Sequence, residues 1–375
     1  MHWSRRQFFA PRASNTFRRN TIPPRQPSTF LAGYQLVTAL RARRSGRHHA
    51  RRIMSFMPLQ SALGGVFIGT AAGAYMFFAG RIAGNSGALK SITVGPYEET
   101  KAAFVAGLAA AGAALGHLLP NAFEAPALSP LAAIGGGLAV GLGTNLCNGC
   151  TSGHGLCGLS RLSLRSIVAV PVFMAAAIGT ATAASGSLAV GSMAPIADTP
   201  RAVVALSKLL ALGLAAALTP LAVLPAKSRA SEAYAGLWSG ACFGTGLAIG
   251  GMVRPSVVAR ALSPAHFDPT LWVLFVTALL TTFGLYRVAA ASGVKEAAVV
   301  SGGPGPDSQL VAGAGLFGVG WGLTGLCPGP HIASLAAALA GGPGLGPTSL
   351  TMAAVVVGQH LAPRLAPLVA PAKRS

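Results

Sequence analysis

Uncharged apolar runs constrain this chain more than any other feature. Several pass about 18 residues, the length that reads as a membrane span. They lie near residues 60–79, 103–120, 130–146, 165–190, 203–224, 234–253, 270–290 and 308–326. Two shorter runs follow, at 331–341 and 348–361, which read as half-helices or re-entrant pieces. Only 10% of the residues are charged, against about 25% in a soluble domain. Glycine is abundant, with 49 residues, and small side chains let helices approach closely where lipid is the competing solvent. The expectation is an all-α polytopic membrane protein of about 8 to 10 apolar helices, broken or re-entrant ones included.

The acidic residues point away from one class of function. All eight (Glu98, Glu99, Glu124, Asp198, Glu232, Asp268, Glu296 and Asp307) fall between the apolar runs. Cation and proton-coupled carriers keep a carboxylate at membrane depth, because such a costly charge is retained only for function. Their placement favours a neutral or anionic substrate.

The net charge of +20 is concentrated at one end. Residues 1–53 hold twelve arginines and no acid; the rest carries 16 basic and 8 acidic residues. Three readings of 1–53 stay open: a mitochondrial or plastid transit peptide, a disordered tail that fixes orientation, or an untranslated stretch with Met54 as the start. The membrane itself is therefore open between plasma membrane and organelle. No basic module interleaved with aromatics is present, so nucleic acid is not an expected partner. No ATP motif is present, and no cofactor is implied.

Two segments correspond at an offset of 177 residues. Gly136, Gly141, Gly143, Leu146 and Cys150 match Gly313, Gly318, Gly320, Leu323 and Cys327. A weaker match at an offset of 175 pairs Gly65, Gly69 and Thr70 with Gly240, Gly244 and Thr245. This is the mark of a duplicated unit, and membrane carriers enclose a midplane site between such repeats. The division expected is 54–225 and 226–375.

Each cysteine motif runs from a glycine-rich apolar segment through a breaker-rich loop into another apolar helix. Thr151-Ser152-Gly153-His154-Gly155 follows Cys150, and Pro328-Gly329-Pro330 follows Cys327. Ser, Thr and Pro start helices, so both cysteines belong near a helix start within a break. Irregular backbone at membrane depth is tolerated where it lines a cavity. Helix starts offer free N–H groups and a positive dipole end to anions. A thiol beside them is a soft, weak donor, suited to a sulfur-bearing anion that must also leave.

Other residues carry alternatives. Cys147 and Cys150 have the spacing of a zinc or redox pair, with His154 and Cys157 close by. His154 reads as ligand, proton shuttle or loop cap. His331 and Gly329 stand beside the second break; Asn145, Ser152 and Thr324 could line a pore. Arg161 and Arg165 are either snorkelling anchors or a funnel for the anion. Cys242 lies inside a span, as packing or as a third thiol.

Four ordered stretches resemble the YeeE/YedE family of sulfur transporters. They are Gly80-Arg-Ile-Ala-Gly-Asn-Ser-Gly87, Asn148-Gly-Cys-Thr-Ser-Gly-His-Gly-Leu-Cys-Gly-Leu-Ser-Arg-Leu-Ser-Leu-Arg-Ser166, Phe243-Gly-Thr-Gly-Leu-Ala-Ile-Gly-Gly-Met-Val-Arg-Pro255 and Leu316-Phe-Gly-Val-Gly-Trp-Gly-Leu-Thr-Gly-Leu-Cys-Pro-Gly-Pro330. The resemblance covers about residues 58–362. It implies an hourglass-shaped helical fold and thiosulfate uptake, with path cysteines passing the ion by S–H···S hydrogen bonds. Some relatives are linked to selenium. By motif, Cys150 and Cys327 take the path positions. A third, early cysteine of the family is missing from the first span here, and Cys242 is the candidate substitute. The expected function is transport of a small sulfur anion, thiosulfate foremost. The alternatives are a membrane sulfurtransferase carrying a persulfide on Cys150 and a scaffold for a soluble sulfurtransferase partner.

Overall fold

The computed structural model describes residues 57–184, 200–220, 225, 228–298 and 305–369. The Arg-rich segment 1–53 lies outside them, as does the end of the run read at 165–190. Among the described residues the chain is all helical. The first series is α1 (Pro58–Ala79), α2 (Asn85–Thr93), α3 (Glu99–Leu118), α4 (Pro130–Leu146), a π-helix (Thr151–Gly158) and α5 (Leu164–Ala184). After α6 (Pro200–Ala216) the same order returns: α7 (Arg229–Ile249), α8 (Pro255–Leu262), α9 (Thr270–Ala291), α10 (Ser308–Thr324), α11 (Pro328–Leu339) and α12 (Leu345–Val369).

Local chemistry sets the helix ends. The Ser129 and Ser228 hydroxyls accept from Ala132 N–H and Ser231 N–H, capping α4 and α7. The Asp307 carboxylate caps α10 by accepting from Leu310 N–H at 2.7 Å. Each side-chain oxygen satisfies one of the donors a helix start leaves free. Gly325 closes α10 at φ 68°, left-handed backbone that glycine takes without steric cost.

Among the described residues six helices are long and apolar enough to cross a membrane, seven if α4 and the π-helix, bent by 42° at their break, form one span. The protein is therefore an integral, multi-pass membrane protein. Ser308–Leu339 is one such apolar stretch, interrupted only at the residues around Cys327. The run read at 234–253 becomes α7, which is not among the six. Fourteen of its 21 residues are buried, and a helix wrapped by protein needs no apolar coat against lipid. The run at 348–361 is not a half-helix: α12 continues for 25 residues through Pro363 and Pro367. A proline removes one N–H but need not end a helix in a membrane bundle, where neighbours satisfy the freed carbonyl.

The main helix contacts of the two series correspond. α1 lies against α7; α1 packs on α9 as α7 packs on α3. α4 lies against α10; α4 packs on α12 as α10 packs on α5. Glycines make the close crossings, and they work in matched pairs. Gly143 faces the backbone of Phe317, and Gly320 faces the backbone of Val140. Gly136 faces Thr324, and Gly313 faces Cys147. Gly65 and Gly69 admit α9, whereas Gly240 and Gly244 admit α3. A methyl group at these positions would strike backbone or a fixed side chain.

Substituting Gly143 or Gly320 with Val should cost about 1–3 kcal/mol by overpacking. Gly135→Val and Gly315→Val, where nothing lies within 4 Å of an added Cβ, serve as controls. Melting temperatures in detergent should fall only for the first pair. A second outcome concerns pH. Arg165 binds the Asp307 carboxylate at 2.9 Å and holds its pKa below the ordinary value. The pair's contribution, about 0–1 kcal/mol for a half-exposed bridge, is whole above about pH 4. It fades as the pH falls through the lowered value. Asp307→Asn should erase that acid-side component in thermal scans from pH 7 to pH 3.

Candidate functional site

Both breaks put a cysteine immediately before a helix. Cys150 is extended (φ −143°, ψ −165°) and precedes the π-helix; Cys327 is extended (φ −95°, ψ 170°) and precedes α11. The first backbone bonds of the two helices correspond: His154 N–H donates to Cys150 O at 2.9 Å, and His331 N–H donates to Cys327 O at 3.1 Å. Both thiols are buried, at 0% and 2% exposure.

A hydroxyl links the two breaks. Thr151 Oγ1 donates to Cys327 Sγ at 3.3 Å. Beside it, Ser152 Oγ shares a hydrogen bond with Cys150 Sγ at 3.4 Å and accepts from Asn85 N–H at 3.1 Å. The starts of α2, the π-helix and α11 therefore meet. Gly329 packs against the Asn85 carboxamide, which fills the space a Cβ would need. Pro328 is buried at the same helix start.

Four of these residues face a partly open cavity of about 140 Å³. Asn85, Thr151, Ser152 and Cys327 form its polar corner. The remaining wall is apolar, with Phe173, Phe243, Trp272, Phe275 and Trp321 as its rings. Phe173 meets Trp321 edge-on at 6.2 Å between ring centroids.

The other sequence candidates are distributed as follows. Asn145 stands one residue before the end of α4. Its Oδ1 accepts from Lys90 Nζ at 2.9 Å, and its Nδ2 donates to Gln359 O at 2.6 Å. His154 has no nitrogen to spare: Nδ1 is bonded to Ser166 Oγ at 2.9 Å and Nε2 to Cys147 O at 3.0 Å. It ties the end of α4 to the start of α5. His331, its counterpart at the same offset, is fully buried with both ring nitrogens unpartnered among the described residues. Cys147 donates to Gly149 O at 3.2 Å, and among the described residues no three Cys, His, Asp or Glu side chains come together around a metal-sized space. Cys157 is buried within the π-helix, beside Tyr286. Arg161 is half-buried, with an enclosed Nε. Arg165 goes to Asp307, as an anchor between helix starts.

Cys242 does not join the pair. Its thiol donates to Phe67 O at 3.3 Å across the α1–α7 crossing, and it does not line the cavity. Two polar residues of α2, Asn85 and Lys90, were not among the candidates. Their segment read as a loop between spans, and a nine-residue helix leaves no periodic signal. The Cys-x3-His pattern, present at both Cys150 and Cys327, was the available cue to the paired histidines.

Residues 13–180 match the model of a family described as sulphur transport, and residues 233–367 match a family of unknown function. The first match begins well before residue 58, where the resemblance noted above starts. A probable transporter of Xylella fastidiosa (strain 9a5c) is 37% identical over 134 residues, 34% of this chain and 88% of the relative. A probable transporter of Xylella fastidiosa (strain Temecula1 / ATCC 700964) is 39% identical over 126 residues, 32% of this chain and 90% of the relative. No solved structure matches. These likenesses indicate a transporter rather than an enzyme.

Of the five free cysteines, all buried, Cys327 alone lines the cavity. A small membrane-permeant maleimide should therefore modify Cys327 first, read by peptide mass spectrometry over a time course. Labelling of Cys242 as fast as Cys327 would contradict the cavity as described.

Proposed function

This chain belongs to the sulphur-transport family, and on that premise we propose that it carries thiosulfate through a path whose narrow point is the Cys150–Cys327 pair. The observation that carries this reading is the position of both cysteines immediately before helix starts, with Thr151, the residue after Cys150, bonded to Cys327 Sγ at the polar corner of the cavity. In this reading 54–225 and 226–375 are the two repeats, and each supplies one thiol to the path.

Elementary chemistry supports the assignment. The starts of the π-helix and α11 aim unsatisfied N–H groups and positive dipole ends at the site. They attract an anion without a fixed cation that would bind a dianion too tightly to release. The thiols add soft donors matched to the terminal sulfur. Ser152 and Thr151 hold the two sulfur atoms in place through their hydroxyls. Lys90, bonded to the Asn145 carboxamide, adds positive potential behind the first break. Thiosulfate leaves one thiol for the other as the pair exchanges donors, with no covalent step. His331, enclosed four residues after Cys327, keeps both ring nitrogens unpartnered among the described residues; His154 is a strut.

The test is radiolabelled thiosulfate uptake by the full chain in proteoliposomes. Cys150→Ala and Cys327→Ala should each lower uptake at least tenfold with the protein still folded. Cys242→Ala should transport as the parent does. Equal uptake by all four proteins would remove the thiol path.

A further inference from the structure

We propose that Arg161 and Arg287 form a binding site for an anionic phospholipid, with its phosphate between the two guanidinium groups and an acyl chain along the outer face of α9. Neither arginine lines the cavity, and the inference is independent of the transported ion.

The two arginines reach one place from different helices. Arg161 lies in the turn between the π-helix and α5, and Arg287 stands near the end of α9. Arg287 Nη2 donates to Ser160 O and to Ala297 O, both at 3.2 Å. The end of α9 is thereby fastened beside the turn that carries Arg161.

Charge singles the pair out. Ion pairs among the described residues join a cation to Glu98, Glu99, Glu124, Asp268 or Asp307, and none of them includes Arg161 or Arg287. Arg165, four residues after Arg161, has Asp307 instead. Both Arg161 and Arg287 are half-buried, and the Nε of each donates to nothing among the described residues. Ser160, 1% exposed, has an unpartnered hydroxyl between them in the same sense. A cation withdrawn from water without a counter-charge is costly. All three groups can donate, which is what phosphate oxygens require, and a guanidinium fork takes two such oxygens at once.

The surroundings are those of a lipid. Val276, Leu280 and Phe283 are 49%, 64% and 41% exposed. They precede Arg287 by eleven, seven and four residues, the spacing that lines one face of a helix. This apolar stripe runs about 16 Å along the axis and ends under the guanidinium, which lies 5.1 Å over the Phe283 ring. Gly284 adds no side chain there, with open space where a Cβ would stand. Across the turn, Leu162, Leu164 and Ile167 are exposed as well. Both α5 and α9 are long and apolar enough to span a membrane, so the arginines stand at the span ends, where head groups lie. Basic pockets between helices at that level take acidic lipids.

The test titrates the full chain in detergent with phosphatidylglycerol or phosphatidylcholine of the same acyl chains and counts bound lipid by native mass spectrometry. The parent should hold phosphatidylglycerol at least fivefold more tightly than phosphatidylcholine. Arg161→Gln and Arg287→Gln should each abolish that preference, while phosphatidylcholine binding and the melting temperature without added lipid stay near the parent values. Arg287→Gln also gives up two backbone bonds; if it does not fold, Arg161→Gln, which breaks no side-chain hydrogen bond between described residues, decides alone. Arg364→Gln, at an exposed arginine of α12, should bind as the parent does. A parent without the preference overturns the inference, as does a preference that survives Arg161→Gln or is lost equally in Arg364→Gln. Inorganic phosphate that displaces the lipid at millimolar concentration overturns it too, in favour of a site for free anions.

Discussion

The crossing of α4 and α10 governs where everything else stands. Gly143 and Gly320 let each helix lie on the other's backbone, and Gly136 and Gly313 extend the contact along the seam. The two helices run antiparallel, the end of α4 against the start of α10 and the end of α10 against the start of α4. Each is followed by a break and a cysteine, and the two breaks meet where Thr151 Oγ1 reaches Cys327 Sγ. In a membrane this closeness is not driven by water. It comes from dispersion between backbones that small residues allow to touch, which is why glycine appears where a larger apolar residue would be expected. The outer helices follow the same rule: Gly141 sits on Val355 of α12 and Gly318 on Phe173 of α5.

Much of this order was legible in the sequence because it is written in residues that have few substitutes. The paired glycines and the cysteine at the end of each pair announce the duplication and both breaks. The apolar runs give the long helices to within a few residues. Two features were hidden for physical reasons. α12 contains two prolines that read as stops, although the helix passes through both. α2 is too short to show a period, so Asn85 and Lys90 read as loop residues. A buried amide at a helix start cannot be told from a turn asparagine until the neighbouring helices are in place.

The cavity separates two tasks within one space. Its polar corner comes from backbone breaks: Asn85, Thr151, Ser152 and Cys327 all stand within three residues of a helix start. Its wall is apolar, with side chains from α1, α5, α7, α8, α9 and α10 and Met252 from the turn after α7. A hydrated ion finds attractive groups on one side alone, and water gains little by filling the rest. The charge-free wall and the donor-rich corner are consequences of the same architecture, since only broken helices expose backbone donors at membrane depth.

The two histidines carry the duplication further than the cysteines do. His154 and His331 hold the same place in their units and make the same first backbone bond. One has both ring nitrogens consumed in holding α4 to α5, whereas the other is sealed in with its ring nitrogens unpartnered among the described residues. The second unit therefore keeps its helices together without its histidine ring, and one imidazole in the protein interior is left with no structural bond to break before it can move a proton.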